Sequence, residues 1–121
     1  MRIIDFHTHA FPEAKADKVV GKLEVHYQRE IDNQGRLDDL LQEVKRAKLH
    51  KAVIHIAAVI PKEVPKLNDW LLQIDSEKLI RFGTIHPSFS DYSAELEKLK
   101  NNGVRGIKLH PELQRFDILS Q

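Results

Sequence analysis

The stretch "KAVIHIAAVI", residues 51–60, decides the fold class of this chain. It is almost continuously apolar, contains several β-branched residues and is followed by Pro61, which cannot donate a hydrogen bond to a strand ladder. A run of this kind is typical of a strand that is covered on both faces, as in parallel sheets. We therefore predict a buried strand over residues 51–60.

Outward from this run, strand patterns alternate with helix patterns. Three more stretches have the strand pattern: "RIIDFH" (2–7), "LIRFGTIH" (79–86) and "VRGIKLH" (104–110). Apolar residues at helical spacing occupy four intervening segments: 16–27, 37–47, 64–74 and 92–99. The last of these ends at "NNG", where Gly103 can adopt the left-handed conformation of a helix end. Strands that alternate with helices imply βαβ crossovers, so the pattern predicts an α/β domain with a parallel sheet.

Two architectures fit four βα units in a single domain over residues 1–121. One is an open, flavodoxin-like sheet, in which the strands follow the order 2-1-3-4. The other is the N-terminal half of a (β/α)8 TIM barrel, because a whole barrel takes about 250 residues. The strands of a half barrel follow the order 1-2-3-4, so the strand order distinguishes the two.

The composition bears on partners and compartment. Nineteen Lys and Arg residues against 18 Asp and Glu residues give a net charge of +1, which offers no electrostatic basis for binding nucleic acid or an anionic membrane. The chain has no Cys, so we expect neither disulfides nor thiolate metal ligands. No stretch approaches the roughly 20 apolar residues of a membrane span, and no signal-peptide pattern is present. We therefore expect a cytoplasmic protein.

Polar side chains lie where the predicted strands end, and active sites of parallel α/β proteins lie at that edge. These residues are Asp5, His7 and His9 on strand one, His86 on strand three, and Lys108 and His110 on strand four. Because side chains alternate along a strand, Asp5, His7 and His9 are predicted to share one face. Two imidazoles about 6 to 7 Å apart on one face can close on a divalent ion. The pattern thus predicts a metal-ligand pair at His7 and His9.

Two motifs extend this prediction to a family. The stretches "IIDFHTHAFP" and "GVRGIKLHPELQRFD" resemble the amidohydrolase superfamily, specifically its amidohydrolase-related (amidohydrolase 2) branch of metal-dependent TIM-barrel hydrolases and decarboxylases. The resemblance covers nearly the whole chain, because "GRLDDLLQEV", "KAVIHIA" and "RFGTIHP" lie between the two motifs in the expected order. It implies half of a TIM barrel in which His7 and His9 bind a divalent metal, most often zinc.

The resemblance also assigns roles to other polar residues. Lys108 and His110 match a motif that faces the active site, where they would position the substrate or the metal. Asp5 is expected to support the ligands or to bond neighbouring backbone. His86 and His110 are each expected either to line the active site or to cap the Pro turn that follows.

The remaining candidates come from loops and strand interiors. Phe11 lies in the segment 10–35, the one loop long enough to line a pocket. His55, in the middle of a strand, is predicted to be a hydrogen-bonded interior residue. His26 and His50 are predicted to be surface residues.

The chain departs from the family pattern after "GIKLHP". Relatives place further metal histidines on strands five and six and an aspartate, a ligand or general base, at the end of strand eight; only "ELQRFDILSQ" follows here. Two protein ligands fall short of the three that catalytic zinc sites supply. We therefore expect a hydrolase or decarboxylase that acts on a small molecule through metal-activated water, is inactive as these 121 residues alone and has its general base elsewhere. The chain would be a fragment of a longer enzyme, a naturally short product, or one of two copies that pair.

Two other functions stay open, and so does the state of assembly. Strands one and four would be unpaired apolar edges, which predicts a homo-oligomer. The chain could be a non-catalytic half-barrel domain for binding or assembly. It could also be a PHP-type phosphoesterase, which likewise opens with a strand ending in H-x-H but usually continues with a Ser-Asp-Gly-like turn, where this chain has "AFPEAKA".

Overall fold

The computed structural model describes residues 1–119, which form a four-stranded parallel sheet with helices between the strands. The strands are β1 (Ile4–Thr8), β2 (Lys51–His55), β3 (Leu79–Thr84) and β4 (Gly106–Lys108). They lie in the order β1-β2-β3-β4, and each is parallel to the next. A flavodoxin-like sheet would place β1 between β2 and β3. The chain is therefore an α/β protein whose sheet curls into a half barrel with sequential strands.

Four helices lie where the apolar spacing predicts them, and a short fifth helix follows the last strand. Their bounds are α1 (Ala16–Tyr27), α2 (Leu37–Arg46), α3 (Val64–Leu72), α4 (Tyr92–Asn101) and α5 (Pro111–Gln114). Short 3-10 turns precede α1 and α3, at Glu13–Lys15 and Pro61–Glu63. The φ angle of Gly103 is 75°, which confirms the predicted left-handed residue after α4. Within residues 1–119 no helix combines the length and the apolar character that a bilayer crossing requires.

The hydrophobic core lies between one face of the sheet and the helices. Ala52 and Ile54 of β2 point to this side, where they belong to the same buried cluster as Leu67 and Leu71 of α3. The stripe of apolar residues that predicts α2 also packs here: Leu37, Leu40, Leu41 and Val44. The helices thus cover the convex face of the curled sheet.

The opposite, concave face carries the alternate residues of the strands. His55 of β2 is the register partner of Phe82 in β3, and Thr84 is the partner of Lys108 in β4. Because register partners share a face and side chains alternate along a strand, all four point to the concave side. Polar and aromatic residues therefore meet on the face that the helices leave open.

Three strands end earlier than predicted, because side chains replace the sheet hydrogen bonds there. β2 ends at His55, β3 at Thr84 and β4 at Lys108, whereas the predicted runs continue to residues 60, 86 and 110. The hydroxyl of Thr84 accepts the N–H of Ala58 at 3.0 Å. The buried side-chain amide of Gln114 donates to the carbonyls of Ala58 and Ile85 at 2.9 and 2.7 Å. Backbone groups beyond the strands thus keep partners while the chain turns out of the sheet.

A buried amide fixes α3 against the end of β3. The side-chain oxygen of Asn68 accepts the N–H of Thr84 at 2.8 Å, and its NH2 group donates to the Thr84 carbonyl at 2.9 Å. The same NH2 group donates to the Glu95 carboxylate of α4 at 2.8 Å. Since every polar atom of this fully buried side chain has a partner, the clamp sets the position of the strand end below the concave face.

Candidate metal centre

An extra residue in β1 determines which way its side chains point. Asp5 is the register partner of Ala52, whereas Thr8 is the partner of Ile54, so three steps along β1 match two steps along β2. This is a β-bulge, which reorients the side chains around it. Asp5 and Thr8 share the helix-facing side with their partners.

The contacts of the bulged residues show the reorientation directly. Phe6 packs edge-on against Phe82 with ring centroids 5.7 Å apart, and the next residue, His7, contacts His55 with centroids 4.6 Å apart. Because Phe82 and His55 share the concave face, two consecutive side chains of β1 point to that face. His9 follows on the same side, with its ring centroid 5.0 Å from that of His7. The prediction that His7 and His9 share a face is confirmed.

The prediction that Asp5 lies on the same face as His7 and His9 is wrong, because the bulge interrupts the alternation after it. The Asp5 carboxylate instead accepts the backbone N–H of His7 at 3.0 Å. This bond supports the backbone of the bulge rather than an imidazole ring.

Three histidines meet at the carboxyl ends of β1 and β2. His7 and His9 approach His55 with ring centroids 4.6 and 4.5 Å away. One ring nitrogen from each of the three lies within 4.8 Å of one from each of the others. In the part of the chain that the structure describes, no carboxylate belongs to this group. The three residues form the candidate metal centre.

The ring of His9 is held in place by two contacts. Its Nδ1 lies 3.1 Å from the backbone carbonyl oxygen of His55, a distance at which the protonated nitrogen donates. This bond selects the tautomer whose Nε2 has a free lone pair. Histidines that bind a metal usually donate their other ring N–H to a carbonyl or carboxylate in this way. The ring of Phe11 lies parallel to that of His9, at a centroid distance of 6.3 Å. Phe11 is itself buried in the hydrophobic core, so it links the ring of His9 to the core.

The electrostatic environment keeps two of the imidazoles neutral. Burial, together with the charges of His9, Lys108 and His7, lowers the pKa of His55 to about 3. Desolvation also lowers the pKa of His9, against the hydrogen bond to the His55 carbonyl, which raises it. Metal ions bind the neutral form of imidazole, so these rings are in the binding form at pH 7.

The prediction that His55 is an interior residue is confirmed, but the sequence does not predict its contacts with His7 and His9. His55 is only 4% exposed, and its Nδ1 has no hydrogen-bond partner among the described residues. Its position opposite Phe82 and one strand away from His7 depends on the register and on the bulge. A lone histidine in an otherwise apolar strand is the only signal in the sequence, and it does not reveal the neighbours.

The other predicted polar residues lie around the centre rather than in it. His86 and His110 both cap the turns that follow them, because Nδ1 of each accepts a backbone N–H, from Ser88 at 3.1 Å and from Leu113 at 3.3 Å. Lys108 lies on the concave face, and its charge contributes to the lowered pKa values of His9 and His55.

The segment 10–35 contains α1 and reaches across the chain. His26, near the end of α1, lies 2.9 Å from the carboxylate of Glu112 in α5. This contact joins the connection that follows β1 to the turn that follows β4. His26 is thus a surface residue, as predicted, and it has a partner 86 residues away.

The two described cavities lie away from the three histidines. One, of about 350 Å³, includes Lys51, Leu79 and Arg105 at the amino ends of the strands. The other, of about 510 Å³, lies between the turn before α1 and α3, beside Trp70. Neither is lined by a residue of the candidate metal centre, so the chemistry of the side chains identifies the site better than its concavity does.

Comparison with known proteins adds no relative to this picture. No family model matches the chain, and neither the curated proteins nor the solved structures contain a significant match.

Proposed function

We propose that this chain is the metal-binding half of a metal-dependent hydrolase or decarboxylase of the amidohydrolase type. The observation that carries the proposal is the pair His7 and His9, whose ring centroids are 5.0 Å apart on the concave face at the carboxyl end of β1. Active sites of (β/α)8 enzymes lie at this end of the strands. The motifs "DFHTH" and "GIKLHP", which prompt the family resemblance, both end at this edge.

The side chains present suit a divalent metal such as zinc. Neutral imidazole is a preferred ligand of zinc, and the lowered pKa values of His9 and His55 favour that form. The buried, unpartnered Nδ1 of His55 shows that the centre has a nitrogen without a partner among the described residues. When bound, a divalent metal lowers the pKa of water and polarises a carbonyl group.

The neighbouring residues suggest how a substrate would be oriented. Lys108 provides a cation on the concave face, where it would bind a carboxylate or another anionic group of a small-molecule substrate. The charge of His110 contributes to the lowered pKa of His9, while its Nδ1 caps α5. The general base remains outside the described centre in this proposal, because no carboxylate within residues 1–119 joins the three histidines.

A second candidate is a non-catalytic half-barrel domain for binding or assembly. One observation favours it: within residues 1–119 no carboxylate joins the three histidines, so the centre has no general base of its own. In this case metal binding would be weak and would serve no chemistry.

Metal retention and activity together test the proposal. The chain is loaded with zinc, dialysed, and analysed for metal content by mass spectrometry. It is then assayed against amide, ester and carboxylic acid substrates with and without a chelator. The assays are repeated at low and at high protein concentration, so that single chains and paired copies are both tested. We expect about one zinc per chain in the wild type and a loss of at least about 100-fold in affinity for His7→Ala, since even the partners behind a ligand are worth 10- to 100-fold.

The outcomes separate the two candidates. Chelator-sensitive turnover supports the hydrolase or decarboxylase. Retained zinc without turnover supports the metal centre but not the chemistry. Loss of zinc on dialysis, with no binding at micromolar concentration, supports the non-catalytic domain and contradicts the metal-dependent function.

A further inference from the structure

We infer that His55 is the third protein ligand of this centre, so that β1 and β2 alone provide a complete three-imidazole metal site. The inference rests on the proposed metal binding by His7 and His9 and adds a ligand that the motifs do not indicate. It changes what the chain is expected to do alone, since two ligands are too few for a catalytic zinc site and three suffice.

The first support is geometric. The His55 ring is as close to His7 and His9, at 4.6 and 4.5 Å between centroids, as these two are to each other at 5.0 Å. Two nitrogens that bind one tetrahedral zinc ion at 2.0–2.1 Å lie about 3.3 Å apart. The ring nitrogens here lie within 4.8 Å of one another, so ring rotations that shorten these separations by up to about 1.5 Å complete the ligand set.

The second support is the unsatisfied nitrogen of His55. Buried polar atoms in proteins almost always have a hydrogen-bond partner. Nδ1 of the buried His86 follows this rule, because it accepts the N–H of Ser88, and Nδ1 of the half-buried His110 likewise accepts the N–H of Leu113. Nδ1 of His55 is buried and has no partner in the described part of the chain. Coordination of a metal satisfies a ring nitrogen that the protein leaves unpaired.

The third support is the rigidity of the backbone that carries His55. β2 is a central strand whose residues Val53 and Ile54 are fully buried, and ligands on such elements are held more precisely than ligands on loops. The carbonyl of His55 also receives the hydrogen bond from Nδ1 of His9. The two ligands are therefore coupled, because the backbone of one orients the ring of the other.

The donor set has a chemical consequence. Three neutral imidazoles leave the charge of a divalent ion uncompensated, and Lys108 adds a further positive charge nearby. A centre of this composition favours an anionic group in its open position. The ligand set involves no residue from β3 or β4, so we expect a single chain to bind one metal ion without a second copy.

The test compares two histidines of the same strand segment. The full chain and its His55→Gln and His50→Gln variants are titrated with zinc in competition with a chromophoric chelator, and cobalt-loaded samples are examined by visible absorption. We expect His55→Gln to weaken zinc binding by at least about 100-fold and to change the cobalt spectrum. His50, at the amino end of β2, is the matched control, and His50→Gln should bind zinc as the wild type does.

The results distinguish this inference from the proposed function. If wild type and His55→Gln bind zinc equally well, His55 is not a ligand, while the pair His7 and His9 remains. If the wild type does not bind zinc, both ideas fail. If His55→Gln does not fold, nitrogen-detected NMR of the wild-type imidazoles decides: a metal-induced shift of a His55 ring nitrogen supports the inference, and an unchanged resonance overturns it.

Discussion

The imidazole of His55 is 4% exposed and has a pKa of about 3, whereas in the unfolded chain it has the ordinary value of 6.5. Between these two pH values the unfolded state binds the proton and the folded state does not, so stability decreases as the pH falls below 6.5. We predict that protonation of this residue lowers the free energy of unfolding of the metal-free chain by roughly 2 kcal/mol between pH 7.5 and 5.0. The decrease is about 1.4 kcal/mol for each pH unit below 6.5. Urea unfolding at the two pH values, with a chelator present, measures the loss.

The control for this prediction is the variant that removes the titrating group. His55→Gln should lose less stability over the same pH interval, and His50→Gln should behave like the wild type. An acid-induced loss in His55→Gln that equals the wild-type loss would show that other groups cause it.

At the level of single residues, the sequence predicts the pair His7 and His9 but not the cluster that these two form with His55. His7 and His9 can be assigned because they are two residues apart at a strand end. Strict alternation puts Asp5 on the wrong face, since it does not foresee an extra residue after Asp5. The proximity of His55 to His7 and His9 cannot be read from its own strand, because it depends on the register between β1 and β2.

Among the elements, the β3–β4 pairing depends on a glycine. A Cβ atom at Gly106 would lie 2.6 to 2.9 Å from the ring of Phe82, which also contacts Phe6. We predict that Gly106→Ala destabilises the chain by about 1 to 3 kcal/mol, the usual cost of overpacking. Thermal and urea unfolding measure this difference.

A second glycine provides the matched control. Gly21 lies in α1, where an added Cβ atom would have no neighbour within 4 Å, so Gly21→Ala should stabilise the chain by about 0.5 to 1 kcal/mol. If steric conflict with the ring is the cause at Gly106, the added variant Phe82→Leu should restore part of the loss there. Equal effects at both glycines would contradict the steric explanation.

The elements themselves follow from local pattern, but their ends do not. The stripe Leu37, Leu40, Leu41 and Val44 predicts α2 and packs as expected. The apolar run 51–60 is longer than β2, because Gln114 and Thr84 bond the backbone beyond the strand. Such side chains come from distant parts of the chain, so apolar runs alone cannot indicate where a ladder stops.

For the whole molecule, the open edges of the sheet predict self-association. β1 and β4 each have a single neighbour in the described sheet, and the exposed residues Ile4 and Leu109 lie at these edges, 43% and 45% exposed. Unpaired apolar edges are templates for further pairing. We expect the 121-residue chain to form dimers or larger species at micromolar concentration in analytical ultracentrifugation.

Charges placed at the edges test the cause of association. The double variant Ile4→Lys with Leu109→Lys should shift the chain toward monomer, whereas Val25→Lys, on the exposed side of α1, should not. A wild-type chain that is monomeric over the whole concentration range contradicts the prediction.

For the whole molecule, the alternation of strands and helices predicts the parallel sheet. A helix between two consecutive strands allows the second strand to run parallel to the first, and few other topologies fit this pattern. The same pattern is compatible with both strand orders, and only the paired backbones show that the order is sequential. The proposed activity would require a general base beyond the three histidines, so it stays a prediction.

The bulge in β1 has a consequence for protein engineering. On an ideal strand, Phe6 and His7 would point to opposite faces, so a graft that keeps Phe6 in the concave layer would turn His7 and His9 toward the helices. A scaffold that receives the whole segment 6–9 therefore has to carry the bulge as well as the side chains. Deletion of Phe6 would instead remove the extra residue, and plain alternation from Asp5 would leave His7 and His9 on the concave face.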